Sequence, residues 1–268
     1  MLTVNSFVRL LCCIIIFYSS SLLASGEIGK VVFLKGKASL VLNGSIKEIA
    51  LENNHSISSG DTLQTDNASF VKVILVDGSL LTFGPKTRFL FKSYVYAQNK
   101  KREGEFELLY GQVRAKFQKV VEHKDMKNKI KIDTRAVSLG IRGTEVLFNY
   151  GQQAGQKGVT QVALLEGKAQ VRYKQSGKKF NLRIGKVLVA MTEPSGNMSP
   201  YGTYNLPGTT YQALASAGRT SMPDGMALGS SRSGDNEDIE NSFLPYETNL
   251  DVLKKVSHKM PKRKSRKK

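Results

Sequence analysis

The chain has 268 residues, of which 40% are hydrophobic, enough for one domain of ordinary size and a tail. Its only cysteines, Cys12 and Cys13, sit near the start, so everything after residue 25 is excluded from disulfide, thiolate-metal and Cys-nucleophile chemistry. The formal net charge is +18, and the last fifteen residues, Lys254–Lys268, hold nine Lys/Arg and no acid, about half of that excess.

Residues 1–25 begin with a lone Arg9, continue through an apolar run from Leu10 to Tyr18, and end in Leu22-Leu23-Ala24-Ser25. A weakly basic start, a short greasy centre and a small-residue exit are the layout of a secretory signal, with cleavage expected near Ala24 or Gly26. The alternative is an uncleaved anchor, against which the apolar run is shorter than the roughly 20 residues a spanning helix needs.

From residue 27 to 191 the chain reads as strand, turn, strand. Ser69–Val76 is rich in β-branched residues and runs into Asp77-Gly78, a turn dipeptide that tolerates positive φ. Arg88–Lys92, Glu105–Tyr110 and Val113–Phe117 continue the pattern. Lys129–Asp133 alternates charged and apolar residues, as a strand with one wet face does. Val159–Leu165 is nearly continuous and reads as a central strand. No window of eleven or more residues has helix-period apolar spacing before the tail. Gly36–Leu42 echoes Gly167–Tyr173, which suggests that both ends of the domain use one hairpin-like unit and pack near each other; chance similarity in a Gly/Val-rich chain is the other explanation. The expected class is all-β: a single β-sandwich or a compact β-roll of many short strands.

After Met191 the composition turns to Gly, Ser, Pro, Asn and Thr. Residues 192–246 are therefore expected to be a flexible linker, with too little apolar surface to offset chain entropy. Residues 247–268 follow as a short helix, with Leu250, Leu253, Val256 and Met260 on one face, and a basic, largely disordered tail.

The stretch Thr134-Arg135-Ala136-Val137-Ser138-Leu139-Gly140-Ile141-Arg142-Gly143-Thr144-Glu145 is the most informative in the chain, since it sets a strand, a glycine break and an arginine side by side. It resembles the signature of the FecR-type periplasmic domain. Four other segments of this chain fit that pattern in order: Gly60–Thr65, Asp77-Gly78-Ser79-Leu80-Leu81, Leu109–Arg114, and Leu165-Glu166-Gly167 running on to Val171. The resemblance extends from about Gly29 to Ala190. It implies an all-β extracytoplasmic module with no catalytic residue to carry over. In the iron-transport regulators that give the family its name, the module receives a signal from an outer-membrane receptor. Those regulators also have a cytoplasmic sigma-factor-binding segment and one membrane helix. Here an export-type signal leads straight into the β-region, so the expectation carried over is binding or scaffolding and not sigma-factor control.

The motif residues Thr134, Ala136, Ile141, Arg142, Gly143, Thr144, Asp77, Gly78, Glu166 and Gly167 are read as structural. Arg142 has two readings: a guanidinium fork for a carboxylate or phosphate ligand, or a semi-buried partner for Glu166, Glu145 or Asp133. The search for a catalyst finds none. His55, His123 and His258 are isolated from other metal-ligand types, and no nucleophile elbow, phosphate loop or zinc-protease motif occurs. Asp61 and Asp77 precede tight turns, where Asp side chains bond nearby backbone N–H groups. No enzyme activity, cofactor or metal is expected.

The tail residues Lys262, Arg263, Lys264, Arg266, Lys267 and Lys268 are candidates for an anionic surface or are a solvated end. Nucleic acid is the weaker partner, because no aromatic is interleaved among them to stack on bases. The expected partner is an envelope protein or an anionic envelope polymer or lipid surface. The expected location is periplasmic or secreted after cleavage, the alternative being a membrane-tethered sensor of the FecR anti-sigma type held by the N-terminal apolar segment.

Overall fold

The computed structural model describes residues 26–98, 100–119, 127–151, 158–193, 195, 198–209, 211–214 and 243. Among them run fifteen strands: β1 (Glu27–Lys35), β2 (Ala38–Val41), β3 (Glu48–Ala50), β4 (Ser56–Ser58), β5 (Thr62–Thr65), β6 (Phe70–Leu75), β7 (Leu80–Phe83), β8 (Arg88–Ala97), β9 (Lys101–Lys116), β10 (Lys127–Asp133), β11 (Val137–Gly151), β12 (Gly158–Tyr173), β13 (Lys179–Leu182), β14 (Lys186–Thr192) and β15 (Met198–Asn205). The all-β expectation holds, and the hydrogen bonding makes one open sheet that does not close into a barrel.

The sheet is folded over on itself. One layer runs β13-β12-β11-β10-β9-β8-β5-β2-β3, and the other runs β15-β14-β12-β11-β9-β7-β6-β1-β4. The long strands β9, β11 and β12 belong to both. The first half of β9, Lys101 to Leu108, lies between β8 and β10, whereas its second half, Gly111 to Lys116, lies between β7 and β11. Segments that read from sequence as separate strands, such as Glu105–Tyr110 and Val113–Phe117, are thus halves of one bent strand. Gly111, Gly143 and Gly167 do not end strands but turn them, each with a positive φ (98°, 54° and 84°).

Side-chain alternation then fills the space between the layers. Val71, Val73, Leu81, Phe83, Val113 and Val146 point in from one layer, and Leu40, Leu63, Phe89, Phe91, Phe106, Ile132 and Leu139 from the other. Their rings meet edge-on: Phe83 and Phe89 have centroids 5.0 Å apart, and Phe89 and Phe91 5.1 Å. The β2–β3 and β12–β13 hairpins, whose sequences echo each other, stand at opposite edges of the first layer. The expectation that the two units pack together is therefore corrected.

Within the stretch 192–246, residues 198–205 form β15. Residue types poor in apolar surface still supply backbone for a ladder, and β15 pairs with β14 from Lys186–Asn205 to Thr192–Met198. A helical turn at 211–214 follows. Leu206 and Leu214 are buried with Leu147, Ala163, Leu165, Val187 and Val189 on the outer side of the second layer. Phe243 is buried beside Phe70, with ring centroids 6.1 Å apart. A few well-placed apolar residues suffice here because the face they cover is already formed.

The bend in β9 gives a direct test. A Cβ on Gly111 would overlap the Thr87 backbone and lie 2.6 Å from the Lys86 carbonyl oxygen, whereas one on Gly177, also left-handed with φ 66°, would meet nothing within 4 Å. Gly111→Ala is expected to cost about 3 kcal/mol or more and Gly177→Ala about 1 kcal/mol in urea unfolding. Equal costs would show that close approach at Gly111 does not limit the fold.

Candidate functional site

Ile141, Arg142, Gly143, Thr144, Glu166 and Gly167 cluster where β11 and β12 bend. Ile141 is in the core, Arg142 is exposed, and the β11–β12 register breaks between Arg142 and Glu145. The buried Thr144 hydroxyl lies 2.9 Å from the Arg142 carbonyl and 2.8 Å from the Lys168 carbonyl, and so links the bend of β11 to that of β12. A Cβ on Gly167 would run into the Gly143 carbonyl and stand 2.9 Å from Thr144 Cα. The Gly143 backbone therefore fills the space that a Gly167 side chain would need, whereas a Cβ on Gly143, at φ 54°, would lie 3.0 Å from Lys119 Cγ. Glu166 is exposed and forms an ion pair of 2.6 Å with Lys119.

Thr134 and Ala136 precede β11 and are fully buried. The Val137 amide donates to Thr134 Oγ1 at 3.2 Å and the Thr134 amide to the Val137 carbonyl at 2.9 Å, a closed turn that starts the strand. Asp61 accepts from the amides of Asn43 (3.0 Å) and Ser58 (2.8 Å), and Asp77 from the amide of Ser79 (3.0 Å). Asp77 bonds the turn that follows it, as its place before Gly78 suggests, whereas Asp61 follows the Ser59-Gly60 turn and reaches back to Ser58 and across to Asn43.

The semi-buried place expected for Arg142 belongs to other arginines. Arg114 is buried on β9 and pairs with buried Glu145, its Nε donating to Glu145 Oε1 at 2.7 Å; its Nη2 also donates to Glu145 and, at 2.8 Å, to the Leu214 carbonyl. Asp133 faces Lys131 at 3.3 Å and Lys174 at 4.0 Å. Arg142 sits on the wet side because Ile141 takes the inward phase and alternation turns its neighbour out.

Arg102 is the most consequential residue that the sequence reading did not single out. It is fully buried, with Nε 2.8 Å from Asp77 Oδ2, Nη2 donating to Ser79 Oγ at 3.0 Å and Nη1 donating to the Gln118 carbonyl at 2.8 Å. Its guanidinium also lies 5.6 Å from the Phe117 ring centre. The surrounding Lys100-Lys101-Arg102-Glu103 reads as a solvated run, yet Arg102 shares the inward phase of Gly104, Phe106 and Leu108. That alternation was the available signal. Tyr94 is buried beside this pair, and burial together with the Asp77 charge pushes its phenol well above the ordinary tyrosine range. Burial pushes Tyr204 up to about 12.

Among the described residues no group of three or more His, Cys, Asp or Glu could hold a metal ion, and no helix is long and apolar enough to cross a membrane. The export-type segment 1–25, the expected helix from 247, and the tail residues Lys262, Arg263, Lys264, Arg266, Lys267 and Lys268 lie outside the described residues.

The FecR protein family matches residues 61–170, so a FecR-family domain is present in this chain. The matched stretch is shorter than the Gly29–Ala190 span of the resemblance: β1 to β4 and β13 to β15 lie outside it. Two solved structures are similar in part, crystal structures of a "putative anti-sigma factor" from Parabacteroides distasonis ATCC 8503, with TM-scores of 0.42 and 0.41 at 12% and 13% identity. Each match covers 57% of this chain and 63% of the other, so this chain spans less than two thirds of their length. No curated protein matches it.

Two outcomes follow from the buried charges. Arg102→Ala strands Asp77 inside the fold and is expected to cost about 3–5 kcal/mol, whereas exposed Arg142→Ala should stay within about 1 kcal/mol, both read by urea unfolding. A large loss at Arg142 would restore it as an internal partner. The second outcome concerns Tyr94, whose proton the folded state holds more tightly than the unfolded state. Its contribution is complete below the unfolded pKa of about 10 and is lost as pH rises beyond that. The stability of Tyr94→Phe should therefore fall less steeply above pH ~10 than that of the native chain; parallel slopes would remove the linkage.

Proposed function

We propose that this chain, carrying a FecR-family domain over residues 61–170, is a non-catalytic exported module of the cell envelope that binds or scaffolds an envelope protein or polymer. The observation that carries this reading is how its interior charges are used. Asp77 and Arg102 neutralise each other, as do Glu145 and Arg114, within bonding distance of backbone carbonyls or hydroxyls that tie strands together. Catalytic acids and bases are instead poised towards a substrate. The large solvent-facing surface of the folded-over sheet is what remains for recognition.

The export-type layout of residues 1–25 supports a periplasmic or secreted location. The basic residues 262–268 add electrostatic contact with an anionic surface. The alternative, a membrane-tethered sensor of the FecR anti-sigma type, requires the apolar run from Leu10 to Tyr18 to stay attached.

Mass spectrometry of the protein recovered from cells should find a chain starting near Ala24 to Gly26. Osmotic shock should release it with the periplasmic contents. Recovery of Met1 in a membrane pellet would replace the exported module by the tethered sensor. A pull-down from an envelope fraction should retain the same partner with the full chain and, more weakly, with a chain ending at Leu253. No specific partner in either would remove the binding reading.

A further inference from the structure

The outer side of the first layer has a basic wing on β11, β12 and β13. Arg142 and Lys168 are register partners, as are Arg172 and Lys179, and all four are exposed. The Ile130–Ile141 pair sets exposed Lys129 of β10 beside Arg142 on the next step. Among the described residues, Lys168, Arg172 and Lys179 have no acid within ion-pair distance, whereas the acids next to the wing are already engaged: Asp133 with Lys131 and Lys174, Glu105 with Lys131, and Glu166 with Lys119. Lys168, Arg172 and Lys179 are held on a rigid ladder, Arg172 and Lys179 about 4.8 Å apart across strands and Lys168 and Arg172 roughly 13 Å apart along β12.

Between the two cationic rows lies a shallow polar trough. Its floor is Gly140, flanked in register by Gln170 on β12 and Lys131 on β10, with Asn181 of β13 opposite Gln170. Gly140 has an ordinary backbone and open space above it, since an added Cβ would meet only the Gln170 carbonyl at 3.7 Å. Gln170 and Asn181 both donate and accept, which suits hydroxyl groups lying between charged ones.

We infer that this wing binds a linear carboxylate-bearing polysaccharide, its carboxylates on Lys168, Arg172 and Lys179 and its hydroxyls on Gln170 and Asn181. The inference rests on the binding-module reading and names the class of its partner. Three features select this occupant. A protein interface is anchored by aromatic or aliphatic side chains, and the wing presents none on its exposed positions. Single-stranded nucleic acid needs aromatic platforms for its bases, which are equally absent. A planar bilayer would also meet Glu103, Glu105 and Glu107 on neighbouring β9, whereas a slender chain can follow the cations alone.

The test is binding of the full mature chain to polygalacturonate at physiological salt by calorimetry. The variant Lys168→Glu/Arg172→Glu/Lys179→Glu is expected to bind about tenfold or more weakly, while Lys37→Glu/Lys47→Glu/Arg88→Glu, with the same charge change on exposed residues elsewhere, should stay within about twofold. If the charge-reversed wing fails to fold by thermal melting, the neutral Lys168→Gln/Arg172→Gln/Lys179→Gln takes its place with the same expectation. Equal losses in the two variants, or no binding to the polymer, would overturn the inference. So would tighter binding to polyglutamate or to vesicles of anionic phospholipid than to the polymer. If the polymer fails but the envelope pull-down still retains a partner, this inference falls and the binding-module reading stands.

Discussion

A flat sheet of this length would leave both faces wet, and the chain avoids this by sending three adjacent strands through both layers. Each of β9, β11 and β12 has a glycine at its turning point, and those glycines come close to neighbouring backbone: Gly111 to Thr87, and Gly167 to Gly143 and Thr144. Backbone approach of that kind leaves no room for a Cβ, and positive φ would strain one anyway. The crease sets the two layers face to face, and the Phe83, Phe89, Phe91 and Phe106 rings then have a shared interior to fill. Without it, the alternation along each strand would have nothing to pack against.

The buried ion pairs belong to the same design. Arg102 reaches from the first half of β9 to the Asp77-Gly78-Ser79 turn between β6 and β7, and so fastens a hairpin of one layer to a strand of the other. Arg114 joins the second half of β9 to β11 through Glu145 and closes the end of the 211–214 turn through the Leu214 carbonyl. Each pair costs desolvation that its hydrogen bonds offset, and neither is a cheap replacement for an apolar contact. They specify which strands meet, a requirement where many short strands of similar composition could pair in several registers.

On the binding-module reading, function lies on the outside of this scaffold. A sheet that spends its internal charges on its own architecture presents rigid, regularly spaced side chains to solvent, and rigidity lowers the entropic cost of binding an extended partner. The motif segments around Gly60, Asp77, Leu109, Ile141 and Leu165 are legible in this light as architecture: turn anchors, a bend and its opposing contact. The exposed Arg142 is the exception, because it belongs to the motif by sequence and to the basic wing by position.

The amino-acid order alone determined the all-β class, the turn role of Asp77 and the importance of the glycines, since period-two alternation and left-handed turn residues are local properties. It did not reveal that Gly111, Gly143 and Gly167 lie within strands, because a bend and a chain reversal use the same residue and differ only in whether the ladder continues. Nor could it supply the partners of Arg102 and Arg114, or assign β15, Leu206 and Leu214 to the body of the domain. Tertiary structure decided those points, for a physical reason: burial of a charge, or of an isolated leucine, depends on partners far away in sequence. Arg102 lies 23 residues from Ser79 and Arg114 lies 100 from Leu214, separations that no local pattern can bridge.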